Sequence, residues 1–262
     1  MTSLALALPI RRTYLRRTLA AAAVGAAVAC ASCAGRDATA MATYLMGGGA
    51  YVPSEGGRPA VLSLVSASLP TATLCYLLSG FVSSELARDS SAVLVRARSR
   101  AAWSTARLVQ VALLCLAFRL LVSAADCLAL LCLGRGGDPG GLARAALLSL
   151  APECLATFSL VLAETLVALD ADEVTASVSV LGVHFGTLFA CSWAPVEVAR
   201  AVVPWLPSTQ GVLAWHDVAG LGLWGPTGVE GFGIAWSVCY LTALAAILWC
   251  LVARATRRRD VL

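Results

Sequence analysis

Lysine is absent from this chain of 262 residues, and all nineteen of its basic side chains are arginine. That absence excludes a Walker A loop, whose lysine reaches the nucleotide phosphates, and any Schiff-base chemistry. Such a chain draws on ATP only through a separate ATP-binding partner. Charge is scarce as well: 13% of residues are charged and 59% hydrophobic, with a mean hydropathy of +0.82. This balance argues against a soluble domain. Histidine is nearly missing, and two histidines without partners at fixed spacing are a poor basis for a metal site. No activated nucleophile, paired-carboxylate cleft or intramembrane protease motif stands out, so no catalytic residue, cofactor or metal ligand is assigned.

What the chain has instead is six long apolar runs, at roughly Leu19–Gly35, Pro59–Phe81, Leu108–Leu133, Ala145–Leu169, Val174–Ala194 and Phe232–Ala253. Each is near or above the ~18–20 residues a helix needs to cross a ~30 Å hydrocarbon core. Backbone groups find no water there, so the runs must be helices, and they are too evenly apolar for barrel strands. The expected fold is an all-α polytopic membrane protein with six transmembrane helices in one permease domain spanning residues 1–262.

Arginine position sets the orientation. Arg11, Arg12, Arg16 and Arg17 precede run one, Arg88, Arg96, Arg98, Arg100 and Arg107 follow run two, and Arg254, Arg257, Arg258 and Arg259 close the chain. These thirteen share one side with the Asp170–Glu173 turn. Arg36, Arg58, Arg135, Arg144 and Arg200 share the other, and Arg119 lies inside a run. Both termini are therefore expected in the cytoplasm. Trp193, Trp205, Trp215, Trp224 and Trp236 gather around the last external connector, where amphipathic rings favour the headgroup zone. Arg11 and Arg12 before an apolar stretch have the look of an export signal, but five further spans follow. The plainer expectation is an N-terminal interfacial segment over Leu4–Arg17. Ten cysteines lie in or near the runs and read as small hydrophobes, including the Cys30/Cys33 pair in its alanine-rich run.

Two connectors are long enough to carry a role. The cytoplasmic one, Val82–Arg107, opens Ser83-Ser84-Glu85, which suits a helix start, and continues through Arg96, Arg98 and Arg100 to Trp103. It is either a solvated charge run that fixes topology or a docking element for a cytoplasmic partner. The external one, Pro195–Gly231, begins with an apolar stretch, Val196–Leu206, too short to span. That stretch lies in the outer interface or dips in and returns.

Ionisable groups also fall inside the runs. Arg119 and Asp126 are seven residues apart, hence on one helix face about 10 Å apart. Run four carries Glu153, directly after Pro152, and Glu164. By depth Glu153 meets Asp126, with Arg119 in reach of either acid. An isolated charge at the bilayer centre costs roughly 2.5–3.5 kcal/mol, so these groups should face other helices or water. Three readings stay open: a lock between spans three and four, the lining of a substrate or gating path, and a proton relay. His184 reads as a hydrogen-bonded packing residue, and His216-Asp217 falls in the external connector.

The order of features resembles the six-span permease subunits of type-2 ABC exporters, in particular those of bacteriocin and antibiotic-resistance systems. The likeness rests on the basic segment Arg11–Arg17, the connector with Val93-Leu94-Val95-Arg96-Ala97-Arg98-Ser99-Arg100-Ala101-Ala102-Trp103, and the long segment before run six. It implies a bacterial plasma-membrane exporter subunit that forms a permease homodimer or heterodimer and engages a separate ABC-type ATPase, not nucleic acid. Glu85, Arg96, Arg98, Arg100 and Trp103 would contribute to the ATPase contact, and short re-entrant helices would precede the last span. The alternatives are an ion-coupled secondary transporter using Arg119, Asp126 and Glu153, and a membrane assembly or immunity protein without transport.

Overall fold

The structure, a computed structural model, describes residues 12–32, 48, 50, 61–84, 100–132, 139–218 and 228–258. Six long helices run through it: α1 (Arg12–Ser32), α2 (Val61–Leu78, continued after a turn to Ser84), α3 (Arg100–Cys132), α4 (Pro139–Ala168), α5 (Glu173–Trp193) and α7 (Ile234–Arg258). A short α6 (Val196–Val202) lies between α5 and α7, and no strand occurs among the described residues. All six long helices are long and apolar enough to cross a membrane, so the chain is a multi-pass membrane protein.

The helices outrun the apolar runs. α1 begins at Arg12, so Arg12, Arg16 and Arg17 form its first turns and are not a separate interfacial segment; Met1–Arg11 lie outside the described residues. α3 likewise starts at Arg100 and absorbs the end of the expected connector, and α7 continues to Arg258. The cause is physical. Apolar run length measures the hydrocarbon core alone, while the backbone ladder continues into water wherever long arginine side chains carry their charge outward.

Packing follows one stripe per helix. On α1, Tyr14, Thr18, Ala21, Ala22, Gly25 and Ala29 are buried, a spacing of three to four residues that lines one face. The stripe is mostly small, which lets α1 settle closely on α2 and α3. A Cβ on Gly25 would stand 2.9 Å from a Val122 methyl, so that contact requires glycine. α4 packs mainly on α7, α3 and α5. Leu62, Leu147, Val178, Val183 and Ile247 face outward, as a lipid-facing surface requires. Hydroxyls within the helices, such as Ser68 and Thr165, donate to carbonyls four residues back at 2.7 Å and so remain satisfied without water.

At the end of the bundle where α1 begins and α7 ends, Tyr14 packs edge-on to Phe81 at 4.3 Å, and its hydroxyl lies 3.3 Å from Ser84 Oγ. Asp172 caps α5 there, accepting from the Val174 and Thr175 amides at 3.0 and 2.9 Å. Those bonds and the Thr175 hydroxyl hold its carboxyl below the usual aspartate value. At the opposite end the α5–α7 connector folds back on the helices. After α6 come three 3₁₀ turns, Val203–Trp205, Pro207–Thr209 and Leu213–Trp215. Pro204 and Pro207 fall in first turns, where a missing N–H costs nothing.

Candidate functional site

Arg119 stands at the middle of α3, and three of its N–H groups are engaged. Nε donates to Thr157 Oγ1 at 2.9 Å, Nη1 to Glu153 Oε2 at 3.1 Å, and Nη2 to Thr71 Oγ1 at 2.8 Å. Thr157 in turn donates to the Glu153 carbonyl at 2.8 Å. One guanidinium thereby ties α3 to α2 and α4. Glu153 and Thr71 each follow a proline inside a helix, Pro152 and Pro70. Each proline deletes one ladder hydrogen bond beside the polar group, at the depth where the backbone is otherwise most regular.

These residues border a cavity of about 110 Å³. Gly25 and Ala29 of α1, Thr71 of α2, Arg119 and Asp126 of α3, Glu153 of α4 and His184 of α5 all contribute to its wall. Asp126 is 7% exposed, and its carboxylate makes no hydrogen bond or ion pair with any described residue. Glu153 uses Oε2 for the arginine, and Oε1 accepts nothing from the described residues. Of the two acids within reach, Arg119 has thus taken Glu153. The expectation of a hydrogen-bonded His184 holds only in part. Its ring packs edge-on to Phe185 at 4.8 Å and borders the cavity without a hydrogen bond among the described residues.

The roof of the cavity comes from the connector, through Ser208, Gly211 and Val212. A Cβ on Gly211 would lie 2.9 Å from the Ala156 methyl, so glycine is what allows this turn to seat on α4. Behind it runs a fully buried polar chain. Gln210 Nε2 donates to the carbonyls of Pro204 at 2.9 Å and Leu206 at 3.1 Å, and Ser237 Oγ of α7 donates to Gln210 Oε1 at 2.6 Å. His216 stacks on Phe232 at 4.3 Å, with Nε2 2.7 Å from Ser237 Oγ and Nδ1 3.0 Å from the Val212 carbonyl. Three short contacts, from the Val212 carbonyl through the imidazole and hydroxyl to the Gln210 amide, share two protons when the imidazole is neutral. Burial nevertheless holds the His216 pKa down to about 4, against the pull of the neighbouring carbonyls, so the ring stays uncharged at neutral pH. Asp217 closes the loop by accepting from the Gly231 amide at 3.2 Å, with Gly231 at φ +75°.

Four of the five intramembrane residues singled out by sequence, Arg119, Asp126, Glu153 and His184, therefore meet at one cavity. Glu164 does not. It is fully buried three turns further along α4, with neither carboxylate oxygen hydrogen-bonded, and the equally unbonded Ser177 hydroxyl approaches it. Trp103 offers no outward docking surface: it is 3% exposed and packs in the core, with the Arg107 guanidinium over its ring. Arg100 begins α3, while Glu85, Arg96 and Arg98 lie outside the described residues. Sequence reasoning missed Thr71, Thr157 and the Gln210–Ser237–His216 chain. Proline before Thr71, mirroring proline before Glu153, was the signal available for the first. Compared with known proteins, the chain matches no family model, no curated protein and no solved structure.

Proposed function

We propose that this chain is a transport protein of the bacterial plasma membrane: the membrane-spanning subunit of an exporter driven by a separate ATPase chain, with the Arg119 cavity on its transport path. The cavity carries the reading. A protein that only anchors or scaffolds gains nothing by leaving a carboxylate buried and unpaired beside a solute-sized space among five spanning helices, because burying such a charge is costly. Arginine distribution supports cytoplasmic termini, which puts the connector roof on the outer face. The complete lack of lysine supports an ATPase on another chain. In this scheme ATP-driven closure of the partner pushes on the α2–α3 connector and rocks the helices about the cavity.

A second reading is favoured by one observation, the unpaired Asp126: an ion gradient, not ATP, powers the same path. Purification from the native host in mild detergent separates the two. The ATP-driven reading expects a stoichiometric P-loop ATPase to co-purify, and expects the joint change of Arg96, Arg98 and Arg100 to glutamate to release it while membrane insertion is kept. A folded protein that repeatedly comes without an ATPase moves the assignment to the ion-driven form. Absence of flux under either energy source sinks both.

A further inference from the structure

Among the described residues of the wall the charges do not balance. Arg119 contributes one positive charge, Glu153 and Asp126 one negative charge each when ionised, and His184 is the other titratable group among them. Three N–H groups of Arg119 are taken by Glu153, Thr157 and Thr71, so its charge is already matched by one of the two acids. Facing the cavity with nothing bound to them are the Asp126 carboxylate, more than nine-tenths buried, and Glu153 Oε1. Neutral oxygens complete the wall: Thr71 from α2, Thr157 from α4 and Ser208 from the roof. Among the described residues the wall therefore has acceptors to spare and, with both acids ionised, one negative charge more than positive.

We propose that this cavity binds one monovalent cation, an alkali ion or a small alkylammonium group, between Asp126 and the free oxygen of Glu153. This rests on the cavity reading above and names its ligand class. A divalent ion is the poorer fit. One of the two carboxylates already serves Arg119, and no group of three or more His, Cys, Asp or Glu residues suited to a metal occurs among the described residues. The volume also sets the size. A water needs roughly 10–15 Å³ on the same measure, so about 110 Å³ leaves room for an alkali ion with several waters or for a methylammonium head.

The test uses the full chain in detergent or nanodiscs. Thermal unfolding is compared in sodium, potassium, methylammonium and N-methylglucamine chlorides at equal ionic strength and fixed neutral pH. A bound ligand stabilises by mass action, so at least one small cation raises the midpoint over N-methylglucamine by roughly 2–4 °C. The alkali and methylammonium arms tell the two sources apart. Asp126→Asn abolishes the rise, and Glu164→Gln, changed outside the cavity, keeps it. Should Asp126→Asn fail to fold, Asp126→Glu and equilibrium binding of radioactive sodium or labelled methylammonium to the unaltered protein take its place. Equal midpoints in all four salts overturn the proposal, as does a rise that survives Asp126→Asn. Cation binding without any flux keeps the site and sinks the transport reading. Flux without cation binding does the reverse.

Discussion

Two polar clusters sit within a few turns of each other, and they are built in opposite ways. The roof chain of Gln210, Ser237 and His216 is sealed: its members are fully buried, and every polar side-chain atom lies within hydrogen-bonding distance of another protein atom. The Arg119 cluster is unfinished: an arginine with three bonds stands beside an acid with none among the described residues and a space about 110 Å³ in volume. Both occupy surroundings where an unmet polar group is costly. The difference teaches where to look for function. A closed network specifies one geometry, and an acid left unbonded beside a cavity is shaped for something that arrives.

The contrast can be broken most severely at the ion pair. Arg119→Met leaves Glu153 buried without its partner and is expected to cost about 3–5 kcal/mol of stability. Adding Glu153→Gln should recover more than half of that loss, read by unfolding in mixed micelles. A smaller effect is expected on lowering pH. His216 is held neutral in the folded chain with its pKa at about 4, so the unfolded chain takes up the proton first, near pH 6.5. The stability it contributes is complete above about pH 6.5 and falls by on the order of 2–3 kcal/mol towards pH 4. His216→Gln should flatten that part of the curve. Because carboxylates also titrate there, the difference between the two proteins is the quantity to measure. The mildest change is Ser237→Ala, which removes the hydroxyl joining Gln210 to His216 at a cost of about 1–3 kcal/mol. It should leave the response to small cations intact, and a lost response would mean that roof and cavity are one unit.

The six spans were legible because hydropathy is a local property, summed along some twenty consecutive residues. Their ends were not: Arg12, Arg100 and Arg258 prolong helices that an apolar count stops short. The cavity was half legible. A spacing of seven puts Arg119 and Asp126 on one face, and depth alone brings Glu153 level with them. Whether Arg119 chooses Glu153 or Asp126 depends on the packing of α2, α3 and α4, where Thr71 and Thr157 complete the fork and decide it. The roof was hidden for the same reason. Gln210, His216 and Ser237 are spread over twenty-eight positions and meet only because the connector folds back. Trp103 misled in the other direction, since its place beside an arginine run suggested a surface and the first turns of α3 bury it.

The roof also dictates an order of assembly. Ser237 receives His216 and anchors Gln210, Trp236 Nε1 donates to the Pro204 carbonyl at 3.1 Å, and the Tyr240 hydroxyl donates to the Trp205 carbonyl at 3.3 Å. All three belong to α7, which is made only after the connector itself. The turns that close the cavity therefore have nothing to latch onto until α7 has been made. Before α7 arrives the cavity lacks its latched roof, so Arg119, Glu153 and Asp126 can find their arrangement within reach of water, and α7 then fixes the turns that cover them.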